Sequence, residues 1–262
     1  MRFCSLASGS SGNCLYVETD RTRVLVDAGF SGKQIEQMLG KIGVDPKTLN
    51  YIFVTHEHLD HVKGVGVMAR RYRIPVVANY GTWQGMKRCI GALPRDLMMV
   101  FESGTDFSVR DLDVHALPIF HDARDAVGYI FYHKEKKLSI VTDTGYVSED
   151  MTEKIRHSDL LFLESNHDPV MLENGPYPLH LKQRIRSTKG HLSNEDSGHV
   201  LAKALKGQKE TVLLGHLSHE NNVPLLAMDT VTRILSDYGM NPEKDIRLSP
   251  AGRFQSSGIL TL

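Results

Sequence analysis

The amino-acid sequence predicts one layered α/β domain spanning residues 1–262, with sheet inside and helices outside. Three observations predict it. Short β-rich apolar runs alternate with segments of helical periodicity in both halves of the chain. No linker, low-complexity tract or repeat divides the sequence. A chain of 262 residues is long enough to bury one sizeable core.

Strands are expected at 13–18, 23–27 and 51–55 in the first third, with helices at 31–41, 62–72 and 82–90. The middle holds apolar β-prone runs at 112–117, 128–133 and 138–142. A second alternating stretch follows, as helix 149–156, strand 160–164, helix 194–205, strand 211–214 and helix 224–238. Ser193, with Asp196 three residues on, is a sound N-cap for the 194–205 helix. Ser8-Gly9-Ser10-Ser11-Gly12-Asn13 lies between two early strands with no helix after it. It reads as a tight hairpin connection or as a loop that touches substrate. A doubly wound nucleotide-binding fold is disfavoured, because no GxGxxG or GxxxxGK[ST] pattern follows a strand.

Composition narrows the class. Hydrophobic residues make up 41% and charged residues 24%, as in ordinary globular proteins. No apolar run reaches the roughly 18 residues a membrane span needs, and the first residues turn polar before a secretory core can form. Cys4, Cys14 and Cys89 lack CxxC spacing, which suits a reducing cytoplasm better than a disulfide framework. Net charge is zero, so an anionic polymer would need a local patch. Histidine, at 13 copies, is the unusual residue.

The apolar run at 51–55 stops at His56-Glu57-His58-Leu59-Asp60-His61, where His56, His58, Asp60 and His61 are four potential metal ligands within six residues. Imidazoles and carboxylates suit Zn²⁺, Mn²⁺ or Fe²⁺. If the loop stays extended, His56 and His58 point the same way, and a turn at Leu59 brings Asp60 and His61 alongside.

His56-x-His58-x-Asp60-His61 resembles the main motif of the metallo-β-lactamase superfamily. The resemblance implies an αββα sandwich, two central mixed sheets flanked by helices, binding two divalent metal ions (Zn²⁺ or Mn²⁺). It also implies the remaining ligands. His121, after 117–120, is similar to the later histidine of the first site, with His115 as its rival. Asp143, in Val141-Thr142-Asp143-Thr144-Gly145, matches the bridging aspartate. His216 matches the last ligand, with His219 as the alternative. One ion would take His56, His58, His121 and Asp143, and the other Asp60, His61, Asp143 and His216. A hydroxide shared by the ions would attack, oriented by Asp60. His191 resembles the histidine that assists leaving-group departure in tRNA-maturation nucleases, and Glu164 is expected to orient it. By itself a lone histidine ahead of a helix also reads as a surface residue.

The redox branch of the fold carries glutamate where His58 stands, and the 73 positions between Asp143 and His216 leave no room for a β-CASP insertion. Over nearly its full length the chain is similar to the YycJ/WalJ group. The matches are Leu6-Ala7-Ser8-Gly9-Ser10-Ser11-Gly12-Asn13, Thr142-Asp143-Thr144-Gly145, Glu164-Ser165-Asn166-His167-Asp168 and Gly215-His216-Leu217-Ser218. That resemblance implies a cytoplasmic 5′-to-3′ DNA exonuclease linked to mismatch repair, with RNA as a further substrate. Asn13 and His167 are expected near substrate. Lys182, Arg184, Arg186 and Lys189 crowd the approach to His191, either as a phosphate-binding segment or as a solvated face. No aromatic-rich stacking platform is visible. The alternatives are a small-molecule or cyclic phosphodiesterase of the same fold, and a non-catalytic metal-dependent regulatory protein.

Overall fold

The inner strands of this protein are buried on both faces, because each sheet packs against its partner on one side and helices on the other. The computed structural model describes residues 1–262. The chain opens with β1 (Arg2–Ala7), β2 (Cys14–Glu18) and β3 (Arg23–Val26), then α1 (Gly32–Lys41) and β4 (Tyr51–Phe53). Next come α2 (Leu59–Val62), α3 (Val65–Tyr72), β5 (Val76–Asn79), α4 (Tyr80–Ile90), β6 (Met98–Phe101) and β7 (Asp106–Val109). They are followed by β8 (Leu112–Pro118), β9 (Val127–His133), β10 (Lys136–Val141), α5 (Glu149–Ile155) and β11 (Leu160–Glu164). The last part holds α6 (Pro169–Asn174), α7 (Leu179–Arg186), α8 (Asn194–Ala204), β12 (Glu210–Gly215), α9 (Pro224–Asp237), α10 (Pro242–Asp245), β13 (Ile246–Pro250) and β14 (Leu260–Thr261).

Two seven-stranded sheets result, ordered β14-β1-β2-β3-β4-β5-β6 and β13-β12-β11-β10-β9-β8-β7. Both are mixed in the same way. In each, three antiparallel pairings give way to three parallel ones, the change falling at β3 in the first sheet and β10 in the second. The expected αββα sandwich is therefore the observed one.

Period-two alternation distributes side chains between layers. Phe3, Val17, Val24, Phe53 and Val77 of one sheet meet Val114, Tyr129, Phe131, Ile140, Phe162 and Leu213 of the other between the sheets. Their neighbours along the strands, such as Tyr16, Leu25, Ile52 and Val76, face α1, α3 and α4. Leu161, Leu163, Val212 and Leu214 face α5, α8 and α9. No helix is long and apolar enough to cross a membrane.

Several sequence expectations need correction. The helix expected at 62–72 is two helices, because α2 starts inside the His-rich loop and the chain breaks at Gly64, whose N–H is drawn to the Ala28 carbonyl at 2.7 Å. The strands β5, β6, β7 and β13 were not expected; they are four or five residues long, and the Met98–Phe101 strand is largely exposed. The helix α7 was also not expected, since among its residues only Ile185 is buried. The 8–13 segment does join β1 to β2 as a hairpin connection.

Phe53 is fully buried between the sheets and makes an edge contact to Phe131 at 5.5 Å. Phe53→Ala is expected to cost about 3–5 kcal/mol. Urea unfolding checks this, the midpoint falling while the slope stays constant. A midpoint shift below about 1 kcal/mol would contradict the packing account.

Candidate metal centre

The parallel strands of both sheets end at one edge, and the polar side chains converge there. His56 follows β4, Asp143 follows β10, Glu164 closes β11 and His216 follows β12. Asp27, Asp143 and His216, each next to or near a strand end, adopt left-handed backbone with φ of 63°, 56° and 52°. Such a conformation costs on the order of 1–3 kcal/mol in a non-glycine residue and persists only where the surroundings impose it.

The His-rich loop behaves as its spacing suggests. His58 is extended and caps α2, which begins at Leu59 and swings Asp60 and His61 beside His56. The loop is stapled to its neighbours through the main chain, with the Asn13 N–H donating to the Asp60 carbonyl at 2.8 Å and Ala28 N–H to that of His61 at 2.8 Å. Gly29 is required at this crossing, because a Cβ there would lie 1.7 Å from the Asp60 oxygen.

The imidazoles are oriented from outside. The Thr55 hydroxyl donates to Asp27 Oδ2 at 2.9 Å, and so accepts from His56 Nδ1 at 3.0 Å. His61 Nδ1 donates to the same Asp27 oxygen at 2.7 Å. His121 Nδ1 donates to the Gly190 carbonyl at 3.2 Å. Each outward nitrogen is thus occupied, and each Nε2 is left facing inward. His56 Nε2 and His121 Nε2 both approach His58 Nδ1, at 3.0 and 3.2 Å. On the other side, Asp143 Oδ2 stands 3.3 Å from His61 Nε2 and 3.0 Å from His216 Nδ1, with Asp60 Oδ2 at 3.5 Å from His61 Nε2.

Burial and charge then compete. Burial pulls His56 well below the usual imidazole range and lowers His121, so both are neutral donors. Burial also pulls on His216 and His61, but carboxylates outweigh it. Asp143 lifts His216 to about 9, and Asp143, Asp27 and Asp60 hold His61 well above its ordinary value. Burial pushes Asp143 up, and His216 and His61 outweigh that, holding it well below the carboxylate range. Protons on His61 and His216 therefore offset the buried aspartates. Divalent cations would displace those protons while keeping the balance, so the donor set fits such ions.

His191 enters from the loop before α8. Its Nδ1 donates to Glu164 Oε1 at 2.7 Å and lies 3.8 Å from Asp143 Oδ1. Glu164 is wholly buried, and its other oxygen accepts the Thr144 N–H at 2.9 Å. A cavity of about 210 Å³ opens over these groups, lined among others by Ser10, Asp60, Tyr177, Arg184, His191 and Ser218.

Residues expected near substrate divide. Arg184 lines the cavity, but its guanidinium is held by Asp122 through two hydrogen bonds, one of 2.9 Å. Arg186 pairs with Glu173, and Lys182 donates to the Glu173 carbonyl at 2.6 Å. Lys189 is exposed. Asn13 is buried at the inward edge of His61, its Nδ2 3.1 Å from His61 Nε2, and does not line the cavity. His167 is also buried off the cavity wall, and burial lowers its pKa to about 4. The rivals do not converge: His115 pairs with Asp106 at 2.6 Å and His219 with Glu220 at 2.8 Å. Asp27 and Thr55 are the functional residues that sequence reasoning missed.

Residues 22–217 match the family described as beta-lactamase superfamily domain. The chain is 41% identical over 239 residues to the exodeoxyribonuclease YycJ of Bacillus anthracis, covering 91% of this chain and 90% of that one. The chain belongs to the metallo-β-lactamase superfamily. A second relative within it, the exodeoxyribonuclease WalJ of Streptococcus pneumoniae serotype 2, is 40% identical over 249 residues, 94% of this chain and 93% of its own. Among solved structures, the metallo-β-lactamase fold protein YhfI from Bacillus subtilis superposes with a TM-score of 0.73 at 14% identity, covering 97% of this chain and 98% of that one. Human tRNase Z, short form, gives 0.66 at 17% identity over the whole of both chains. These two show the fold. Family and donor cluster together support the use of divalent metal.

Asp27→Asn should keep the fold but weaken metal binding about 10- to 100-fold, since it removes the acceptor that sets the His61 ring. Competitive titration with a chelating dye checks this. In wild type the same titration should show affinity falling as pH drops below about 9, where His216 takes up its proton. Wild-type affinity in Asp27→Asn would remove Asp27 from the account.

Proposed function

We propose that this protein is a metal-dependent phosphodiester hydrolase that shortens DNA from its 5′ end, in the cytoplasm, with a role in mismatch repair. The observation that carries the reading is His191, held by the buried Glu164, standing 3.8 Å from the Asp143 carboxylate on the wall of the cavity that both line. The exodeoxyribonucleases YycJ and WalJ, related over nine-tenths of the chain, support DNA as the substrate.

His56, His58, His121 and Asp143 would hold one cation, and Asp60, His61, Asp143 and His216 a second. Zn²⁺ and Mn²⁺ both suit this mixture of imidazole and carboxylate. Bound there, the ions would lower the pKa of a water and neutralise charge on the phosphate oxygens.

The chain's own groups supply the rest. Asp60 lies on the cavity wall and orients the attacking water by accepting its hydrogen bond. Glu164 accepts from His191 Nδ1, which leaves Nε2 free for a phosphodiester. From Nε2 the protonated imidazole hands its proton to the departing 3′ oxygen, and Glu164 stabilises the charged ring beforehand. Arg184, fixed in the wall by Asp122, offers its remaining N–H groups to a phosphate oxygen. Tyr177 and Ser218 add hydroxyls around the same space.

Cleavage of 5′- and 3′-labelled single- and double-stranded DNA with Mn²⁺ or Zn²⁺ tests the reading. Stepwise loss from the 5′ end is expected, abolished in Asp143→Ala. His191→Ala should keep its metal and lose about 10²- to 10⁴-fold in rate on DNA. Bis-p-nitrophenyl phosphate, whose leaving group needs no proton, should suffer far less. DNA cleavage at the wild-type rate by His191→Ala would remove the proton-donor role. No cleavage by folded, metal-loaded wild type would overturn the DNA reading itself.

A further inference from the structure

Phe120 and Tyr146 form an exposed aromatic pair on the segments that carry His121 and Asp143, a feature the sequence did not reveal. Their ring centroids are 5.5 Å apart with the planes at 63°. The two residues are 42% and 48% exposed. Their backbones are tied together. The Phe120 N–H donates to the Thr144 hydroxyl at 3.2 Å, which donates to the Tyr146 carbonyl at 2.7 Å. The Gly145 N–H donates to the Phe120 carbonyl at 2.9 Å.

This network is continuous with the proposed metal centre. Phe120 immediately precedes His121, and Tyr146 lies three residues beyond Asp143, at most about 11 Å of extended chain. Gly145 packs on the 187–190 loop so closely that a Cβ would lie 2.3 Å from the Ser187 oxygen and 2.5 Å from the Gly190 nitrogen. That loop carries Lys189. Its neighbours Lys182, Arg184 and Arg186 are all engaged within the molecule, whereas the Lys189 ammonium has no hydrogen bond or ion pair.

We propose that Phe120 and Tyr146 are a stacking platform for a base of the DNA strand next to the scissile phosphate, with Lys189 meeting an adjoining phosphate. The inference rests on the DNA-hydrolase reading above. An aromatic face takes any base, and a cation tracks the backbone, the two elements of sequence-tolerant single-strand binding. The patch is too small to be a protein interface. Two half-exposed rings fall far short of the roughly 800 Å² per partner that a stable dimer needs. Exposed, and carried by the segments that hold His121 and Asp143, they suit a nucleobase.

The test uses the full-length, metal-loaded protein and labelled single strands, intact or with one abasic residue at successive positions from the 5′ end. In wild type, one abasic position should raise KM about tenfold, the worth of a stacked base. In Tyr146→Ala the intact strand should already show the raised KM, and the abasic residue should add nothing, because the two changes remove one interaction. Tyr146→Phe should retain the wild-type pattern. Phe120→Leu, which keeps apolar bulk without a π face, should behave as Tyr146→Ala does and serves if that variant fails to fold. No abasic penalty in wild type, or an undiminished penalty in both variants, overturns the platform alone. Failure of wild type to cut any strand overturns the platform and the DNA reading together.

Discussion

Everything at the functional edge of this protein depends on compensating buried carboxylates. Asp27, Asp143 and Glu164 are each at most 2% exposed, and all three crowd the histidine cluster. An isolated carboxylate in such a place would be prohibitively costly, so the fold surrounds each one with N–H donors and imidazoles. Asp27 takes three hydrogen bonds from Thr55 and His61, and Glu164 takes His191 and the backbone of 144 and 192. Asp143 alone faces the cavity rather than backbone donors. Its nearest partners are His61, His216 and the Thr142 hydroxyl, which makes it the group most in need of a cation.

That requirement explains the local architecture. The left-handed residues at 27, 143 and 216 turn side chains across the ends of β3, β10 and β12, where a regular strand would carry them past the seam. The backbone bonds linking 8–13, 27–30 and 56–64 hold the donors before any ligand arrives. The three apolar cores, one between the sheets and one outside each, supply the rigidity that makes such strained positions tolerable.

Much of this was legible in the sequence, for identifiable reasons. The layered fold followed from β-rich runs and helical segments that are long and amphipathic. His56, His58, Asp60 and His61 announced themselves by density, whereas Asp143 and His216 were singled out by the family resemblance, each after an apolar run. Asp27 did not, because it only closes a strand, and its partner His61 is 34 positions away. The fate of the basic segment was equally hidden. Whether Arg184 is free or bound depends on Asp122, 62 positions off, and on a helix with a single buried residue. The aromatic pair was illegible for the same reason: Phe120 and Tyr146 are 26 positions apart in sequence and meet only in the fold.

The central claim is that this buried cluster holds two cations with Asp143 between them. Anomalous diffraction from crystals grown with Mn²⁺ or Zn²⁺ tests it most directly. The account predicts two peaks, one within ligand distance of His56, His58 and His121, the other of Asp60, His61 and His216, both touching Asp143. A single peak, or a pair that leaves Asp143 uncoordinated, would contradict it.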